Sequence, residues 1–331
     1  IIVSPSFEIN NDLQKEVTLI DFPLPNRQEV KQIISGFIDS WRNTPNVKID
    51  IDNNLLEKFV DAAIGLTTLE IENCLAKALV SDHQLNKDDL KDLLEEKKQI
   101  VRKTGILEFV DAHLDLNSVG GLNTLKKWLE LRSHCFDVDA KQFGISSPKG
   151  LLLTGVPGCG KSLTAKAIAN EWKFPLLRFD LGKVFGGIVG ESERNIRYAL
   201  DVAKTISPCV LWIDEIEKGL SGSQSSGRTD GGTSARVFGT FLTWMQEKKE
   251  PVFVVATAND ISSLPPELLR KGRFDEIFFV DLPSANEREN IFNIHLKNKG
   301  RDAKLLGLDM QKLVRASEGF SGAEIEEVVN E

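Results

Sequence analysis

The sequence predicts an α/β fold whose buried strands end in polar loops, and three passages predict it. In the first, Gly150-Leu151-Leu152-Leu153-Thr154 reads as a buried strand, and residues 163–170 read as a helix. Between them, Gly155-Val156-Pro157-Gly158-Cys159-Gly160-Lys161-Ser162 has the glycine spacing of a phosphate-binding loop. In the second, Cys209-Val210-Leu211-Trp212-Ile213 is an apolar run that ends in Asp214 and Glu215. In the third, Val252-Phe253-Val254-Val255-Ala256-Thr257-Ala258 ends in Asn259.

Each passage assigns chemistry to its tip. The loop glycines let backbone N–H groups curl around phosphate oxygens, and the following helix adds the positive end of its dipole. Lys161 reaches the outer phosphates of a nucleotide, and the Ser162 hydroxyl can hold a magnesium ion. Asp214 orients that magnesium through water, and Glu215 polarises the attacking water. Asn259 is placed to bond the γ-phosphate or that water; alone, an Asn after a strand would read as the start of a turn. Downstream, Arg270 and Arg273 follow Pro265-Pro266-Glu267-Leu268-Leu269. They are either a solvated helix end or arginine fingers, which neutralise charge on a transferred phosphoryl group. Cys159, beside a helix N-terminus and Lys161, is either a small residue that fits or a thiol with a lowered pKa.

The bulk numbers set the limits. A chain of 331 residues with 41 basic and 49 acidic side chains suggests two or three domains and carries a net charge of −8. That balance argues against a general nucleic-acid surface. Cys74, Cys135, Cys159 and Cys209 lack metal-ligand spacing and read as reduced thiols of a cytoplasm-like compartment. No apolar run approaches the roughly 18 residues that span a bilayer. The chain starts Ile1-Ile2-Val3 and stops inside a helical pattern at Glu331, so both ends read as cut.

An internal repeat adds a second module. Val17-Thr18-Leu19-Ile20-Asp21-Phe22-Pro23 is echoed by Ile277-Phe278-Phe279-Val280-Asp281-Leu282-Pro283, with Asn26 against Asn286 and Glu29 against Glu289. Gly65-Leu66-Thr67-Thr68-Leu69-Glu70-Ile71-Glu72 is echoed by Gly319-Phe320-Ser321-Gly322-Ala323-Glu324-Ile325-Glu326. Residues 1–96 therefore read as the tail of an earlier, degenerate copy, comprising its last strands, its helical lid and a linker. The copy is shorter where the second carries Arg270-Lys271-Gly272-Arg273, so it reads as scaffold. The charged stretch 87–98 reads as a connecting helix with Leu90, Leu93 and Leu94 on one face, or as a partner-binding helix. The glycine- and serine-rich stretch 220–233 reads as a mobile loop.

Taken together, these residues resemble the AAA+ ATPases, and within them the clade of protein remodellers. Arg270-Lys271-Gly272-Arg273-Phe274-Asp275 is similar to that clade's two-finger signature, and Gly190-Glu191-Ser192-Glu193 to the segment after its first pore loop. Ser118-Val119-Gly120-Gly121 is similar to its entry motif, so Val119 and Gly120 are expected against adenine. His295 matches a lid histidine, and Gly322 and Ala323 match the lid segment that closes over the nucleotide. With Pro157, Gly158, Cys159, Gly160, Lys161, Ser162 and Leu163 they make up the expected site for ATP and Mg2+. Within the family the chain looks closest to a branch encoded in cyanobacteria and some plastid genomes, which implies a cyanobacterial cytoplasm or a chloroplast stroma.

The resemblance implies a parallel five-stranded sheet flanked by helices over 97–283, followed by a small α-helical lid over 284–331. The strands expected are 151–154, 176–179, 210–213, 252–257 and 277–280. It also implies a homo-oligomer, a hexameric ring when active, in which Arg270 and Arg273 face a neighbour's phosphates and turnover does work on a protein partner. Two features depart from the family: no arginine sits near Gly322 and Ala323 in the lid, which the remodelling clade often lacks as well, and the first pore loop has Ile188 where the family usually carries an aromatic, with Phe185 three residues earlier. The second puts threading of polypeptide in question and keeps two alternatives open, a nucleotide-gated regulatory protein and, less favoured by the charge, a nucleic-acid-linked ATPase.

Overall fold

The computed structural model describes residues 24–42, 44–136, 140, 142–185, 191–219, 233–301 and 307–331. The first echo at residues 17–23, Ile188 and the stretch 220–232 lie outside them. The chain divides into two compact units, with the boundary between Leu90 and Lys91, ahead of the boundary at 96 read from the repeat.

In the first unit, helices α1 (Arg27–Trp41), α2 (Asn53–Ala63) and α3 (Thr68–Asp82) accompany two short parallel strands, β1 (Lys48–Ile49) and β2 (Gln84–Leu85). Each helix starts where a side chain accepts an otherwise orphaned backbone N–H. Asn26 and Thr67 form capping boxes with Glu29 and Glu70, and Asp52 caps α2. The helices bury one stripe each: Val30, Ile34 and Ile38 on α1, Phe59, Val60 and Ala63 on α2, and Ile71, Leu75 and Leu79 on α3.

Helix α4 (Leu90–Lys103) opens the second unit. Its buried stripe runs Leu93, Lys97 and Val101, four residues apart, whereas Leu94 stands 41% exposed. The expected Leu90, Leu93 and Leu94 face is therefore corrected. The turn of the helix carries Leu94 off the stripe, and Val101 joins Ile106 and Leu107 in the second unit's core.

The second unit contains one six-stranded sheet. In chain order its strands are β3 (Leu107–Val110), β4 (Gly150–Gly155), β5 (Leu176–Phe179), β6 (Cys209–Ile213), β7 (Val252–Ala258) and β8 (Glu276–Val280). Across the sheet the order is β3-β5-β6-β7-β4-β8. The five expected strands are present and parallel. The sixth, β3, was not anticipated. It runs antiparallel along β5, Leu107 opposite Phe179 and Val110 opposite Leu176, and covers an edge that would otherwise be open.

Strand residues alternate between two faces. Leu152, Leu211, Ile213, Val254 and Ala256 pack with α8 (Glu191–Ile206) and α9 (Thr233–Glu247). Leu151, Leu153, Val210, Val255 and Phe253 pack with α5 (Asn123–Ser133) and α6 (Lys161–Trp172). A four-residue helix, α7 (Leu181–Val184), precedes α8. Because β6, β7 and β4 are adjacent and parallel at the centre of the sheet, their polar tips emerge together at its C-terminal end.

After β8 come α10 (Ala285–Asn298), α11 (Met310–Ala316) and α12 (Gly322–Asn330), which enclose Ile291, Phe292, Leu296, Ile325 and Val329. Their caps repeat the first unit's in kind and order. Ser284 and Ser321 form capping boxes with Glu287 and Glu324, and Asp309 caps the helix between. The second echo keeps its register: Gly65 and Gly319 both take left-handed φ, 91° and 82°, and Thr67 matches Ser321 as a cap. The first echo shifts by two residues, because Asn26 and Glu29 have the capping roles of Ser284 and Glu287, not positions equivalent to Asn286 and Glu289.

Candidate nucleotide site

A cleft of about 390 Å³ lies at the C-terminal ends of β4, β6 and β7, under the lid. Its floor is the loop between β4 and α6. Gly158 and Gly160 hold left-handed φ of 76° and 84°, a backbone conformation that glycine adopts freely and in which successive N–H groups can converge on an anion. Space there is limited: a Cβ on Gly158 would come within 2.9 Å of the Ser321 hydroxyl oxygen. Lys161 is 6% exposed, and its Nζ donates to the Gly155 and Val156 carbonyls at 2.8 Å each. Burial pushes its pKa down, opposed by weaker attraction from surrounding groups that include Glu217, Asp214 and Glu215.

The expected carboxylates meet the loop through a chain of hydrogen bonds. Asp214 Oδ1 accepts from Ser162 Oγ at 2.9 Å and from Thr257 Oγ1 at 2.7 Å. The same Thr257 oxygen accepts from the Glu215 backbone N–H at 2.9 Å. Asn259 Nδ2 donates to Glu215 Oε1 at 3.0 Å, while the Asn259 backbone N–H donates to Glu217 Oε1 at 2.9 Å. Lys218 Nζ meets Glu215 Oε2 at 2.5 Å. Glu215 itself sits at φ 48°, a strained conformation for a residue with a Cβ and one that clusters at functional sites.

Sequence reasoning missed Thr257 and Glu217. The signal for Thr257 was a polar residue inside an otherwise apolar buried strand. For Glu217 it was a third acid two residues past Glu215, which without the fold reads as solvated.

A pair of oxygen donors, the Ser162 hydroxyl and the Asp214 carboxylate, suits a hard cation that keeps water and phosphate in its remaining positions, as magnesium does. Among the described residues no group of three or more His, Cys, Asp or Glu side chains could hold a metal by itself.

The opposite wall joins the entry motif to the lid. Val119 and Gly120 line the cleft, and Lys126 Nζ holds the Val119 carbonyl at 2.6 Å. A Cβ on Gly120 would come within 2.4 Å of Ile291 Cγ1. The Ala323 backbone N–H donates to the Gly158 carbonyl at 3.0 Å, so the lid is bonded directly to the phosphate loop. Pro157, Leu163, His295, Gly322 and Cys159 also line the cleft. His295 Nδ1 lies 3.8 Å from Glu326 Oε1, an ion pair only when the ring is protonated.

The lowered pKa considered for Cys159 is corrected. Burial pushes its thiol up, and the nearby Lys161 only partly offsets this.

Arg270 and Arg273 do not line the cleft. They stand on the loop before β8, at the opposite end of the sheet. Arg270 is exposed; Arg273 is half-buried, and its Nη1 is buried without a hydrogen-bond acceptor among the described residues.

Residues 151–282 match the family model described as ATPase family associated with various cellular activities (AAA). The chain belongs to the AAA ATPase family. Residues 28–104 match a second model, the second domain of SpoVK-like AAA ATPases, so the helical unit ahead of the AAA module is also AAA-related. The chain is 47% identical over 331 residues to the uncharacterized AAA domain-containing protein ycf46 of Guillardia theta, and equally to that of Pyropia yezoensis. In each case all of this chain is covered and 64% and 65% of the relative, so it spans somewhat less than two thirds of these relatives. A putative cell division cycle ATPase of Plasmodium falciparum is 32% identical over 287 residues, 85% of this chain and 21% of that protein.

Proposed function

We propose that the AAA module hydrolyses ATP with magnesium and couples turnover to remodelling of a protein partner. The observation that carries the reading is the bonded chain Ser162–Asp214–Thr257–Glu215–Asn259, set against Lys161 on a glycine loop. It gathers a phosphate cradle, a metal-orienting carboxylate, a candidate base and a positioning amide in one cleft.

In this reading the loop N–H groups and Lys161 bind the outer phosphates, the ammonium leaving its two carbonyls for phosphate oxygens. Magnesium, when bound, supplies positive charge to the β- and γ-phosphates, and Ser162 and Asp214 are the residues that would hold it. Glu215 takes the proton of the attacking water, and Asn259 orients that carboxylate through its amide. Val119, Gly120, Ile291, Ile294 and His295 form the wall expected to hold the base. The missing arginine is provided by a second copy: Arg270 and Arg273 lie away from their own cleft, which supports fingers acting in trans in a homo-oligomeric ring. The direct bond from Ala323 to Gly158 supports the lid as the part that moves when the phosphate site changes.

Among the described residues no helix is long and apolar enough to cross a membrane. With relatives in algae, a plastid stroma or cyanobacterial cytoplasm is the compartment proposed.

The test is Glu215→Gln, which should bind ATP as wild type does and lose nearly all turnover. Turnover within a few-fold of wild type would remove Glu215 from the mechanism. The same variant, used as a trap, should retain a protein partner in the presence of ATP.

A further inference from the structure

The loop that carries Arg270 and Arg273 is fastened by the residue that precedes the central strand. Lys149 Nζ donates to the Gly272 carbonyl at 2.9 Å and to the Gln246 carbonyl at 2.5 Å. The backbone N–H groups of Lys149 and Gly150 both donate to Asp275 Oδ2, at 2.6 and 2.9 Å, and the Asp275 N–H returns a bond to the Gly150 carbonyl at 2.8 Å. Gly272 turns the loop at φ 95° immediately before Arg273. Gln246 lies in the last turn of α9, where carbonyls carry the negative end of the helix dipole and favour a cation.

Two further facts give this clamp meaning. Arg273 is held half-buried although its Nη1 finds no acceptor, so bonds elsewhere must keep the loop in place. In addition, β4 ends in the phosphate loop at Gly155 and begins beside Lys149, so one buried strand joins the subunit's own phosphate cradle to the loop it offers a neighbour.

We propose that Lys149 is a positioning residue for Arg270 and Arg273: its ammonium fixes the Gly272 carbonyl against the end of α9 and so sets the direction in which both guanidiniums are presented to an adjacent copy. The inference rests on the reading of these arginines as trans-acting fingers. Methionine at position 149 would keep most of the side chain's length and remove both bonds. Arginine would restore a donor able to reach both carbonyls.

The experiment measures steady-state ATPase and binding of a fluorescent ATP analogue for the purified wild type, Lys149→Met, Lys149→Arg and Arg273→Ala, with melting curves as a folding check. Lys149→Met should lower kcat by roughly tenfold or more with analogue affinity within about twofold of wild type, and Lys149→Arg should recover most of the loss. Mixed with Glu215→Gln subunits, Lys149→Met should regain turnover beyond the sum of the two alone, because the Glu215→Gln copies present intact fingers to intact clefts. A purely structural defect in the Lys149→Met cleft would not be repaired by mixing. Wild-type kcat in Lys149→Met, or no gain on mixing, overturns the inference while Arg273→Ala remains inactive. If Arg273→Ala keeps full turnover, the finger reading itself falls and this inference with it.

Discussion

Thr257 donates its hydroxyl to Asp214 at 2.7 Å and accepts the backbone N–H of Glu215 on the same oxygen at 2.9 Å. One buried hydroxyl on β7 thus sets the orientation of two adjacent acids at the end of β6. Thr257→Val keeps the shape and removes the hydroxyl, leaving the Glu215 N–H without its acceptor. It should cost about 1–3 kcal/mol of stability and lower kcat several-fold more than it changes ATP affinity. Thr257→Ser should recover most of both. Chemical denaturation and steady-state kinetics of the two variants check this; an unaltered kcat in Thr257→Val would show that the acids are held without it.

The lid contact makes a separate prediction. Gly120 has no room for a Cβ, which would come within 2.4 Å of the stiff, buried Ile291 side chain on α10. Gly120→Ala should displace the lid helix, destabilise the fold by about 1–3 kcal/mol and weaken ATP binding. Gly239→Ala, within helix α9 and with nothing within 4 Å of the added Cβ, should leave ATP binding unchanged. Calorimetric titration with ATP separates the two.

Lys248 gives a pH signature. Its ammonium is buried against the Val252 carbonyl, and burial lowers its pKa from 10.5 to about 8. Below pH 8 both folded and unfolded chains carry the proton and the burial cost is fully present. Between about 8 and 10.5 the unfolded chain binds more protons, so this group adds stability as pH rises. The melting temperature of Lys248→Met, compared with wild type across that window, should lack this upward contribution. Parallel curves would mean that the lysine keeps its ordinary pKa.

The thiol of Cys159 should behave as an ordinary or poor nucleophile, because burial raises its pKa more than Lys161 lowers it. Alkylation near neutral pH should be slower than for a free thiol, and mild oxidant should affect wild-type ATPase no more than that of Cys159→Ser. Selective loss of wild-type activity would mean that the thiolate is stabilised in the cleft.

Much of the site was legible in the chain because its signals are local. Glycine spacing around Lys161, an apolar run ending in Asp214-Glu215 and another ending in Asn259 each depend only on neighbours a few residues apart. The second echo was legible for the same reason: a cap and its glutamate three residues on are one turn of helix, and Thr67 with Glu70 behaves as Ser321 with Glu324.

What the sequence determined by itself was therefore the set of strand tips, their chemistry and the repeated lid-like helices. Tertiary structure alone decided how they join. Strand register brings Thr257 to Asp214 across 43 positions of sequence, and the fold places Glu217 under Asn259. Pairing with β5 turns residues 107–110 into a sixth strand, and burial outweighs the pull that Lys161 exerts on the Cys159 thiol. The Lys149 clamp on the loop of Arg270 and Arg273 belongs to the same class, since its bonds to Gly272 and Gln246 span 123 and 97 positions. Hydrogen bonds between distant segments and desolvation depend on how strands and helices pack, and no local pattern of residues encodes either.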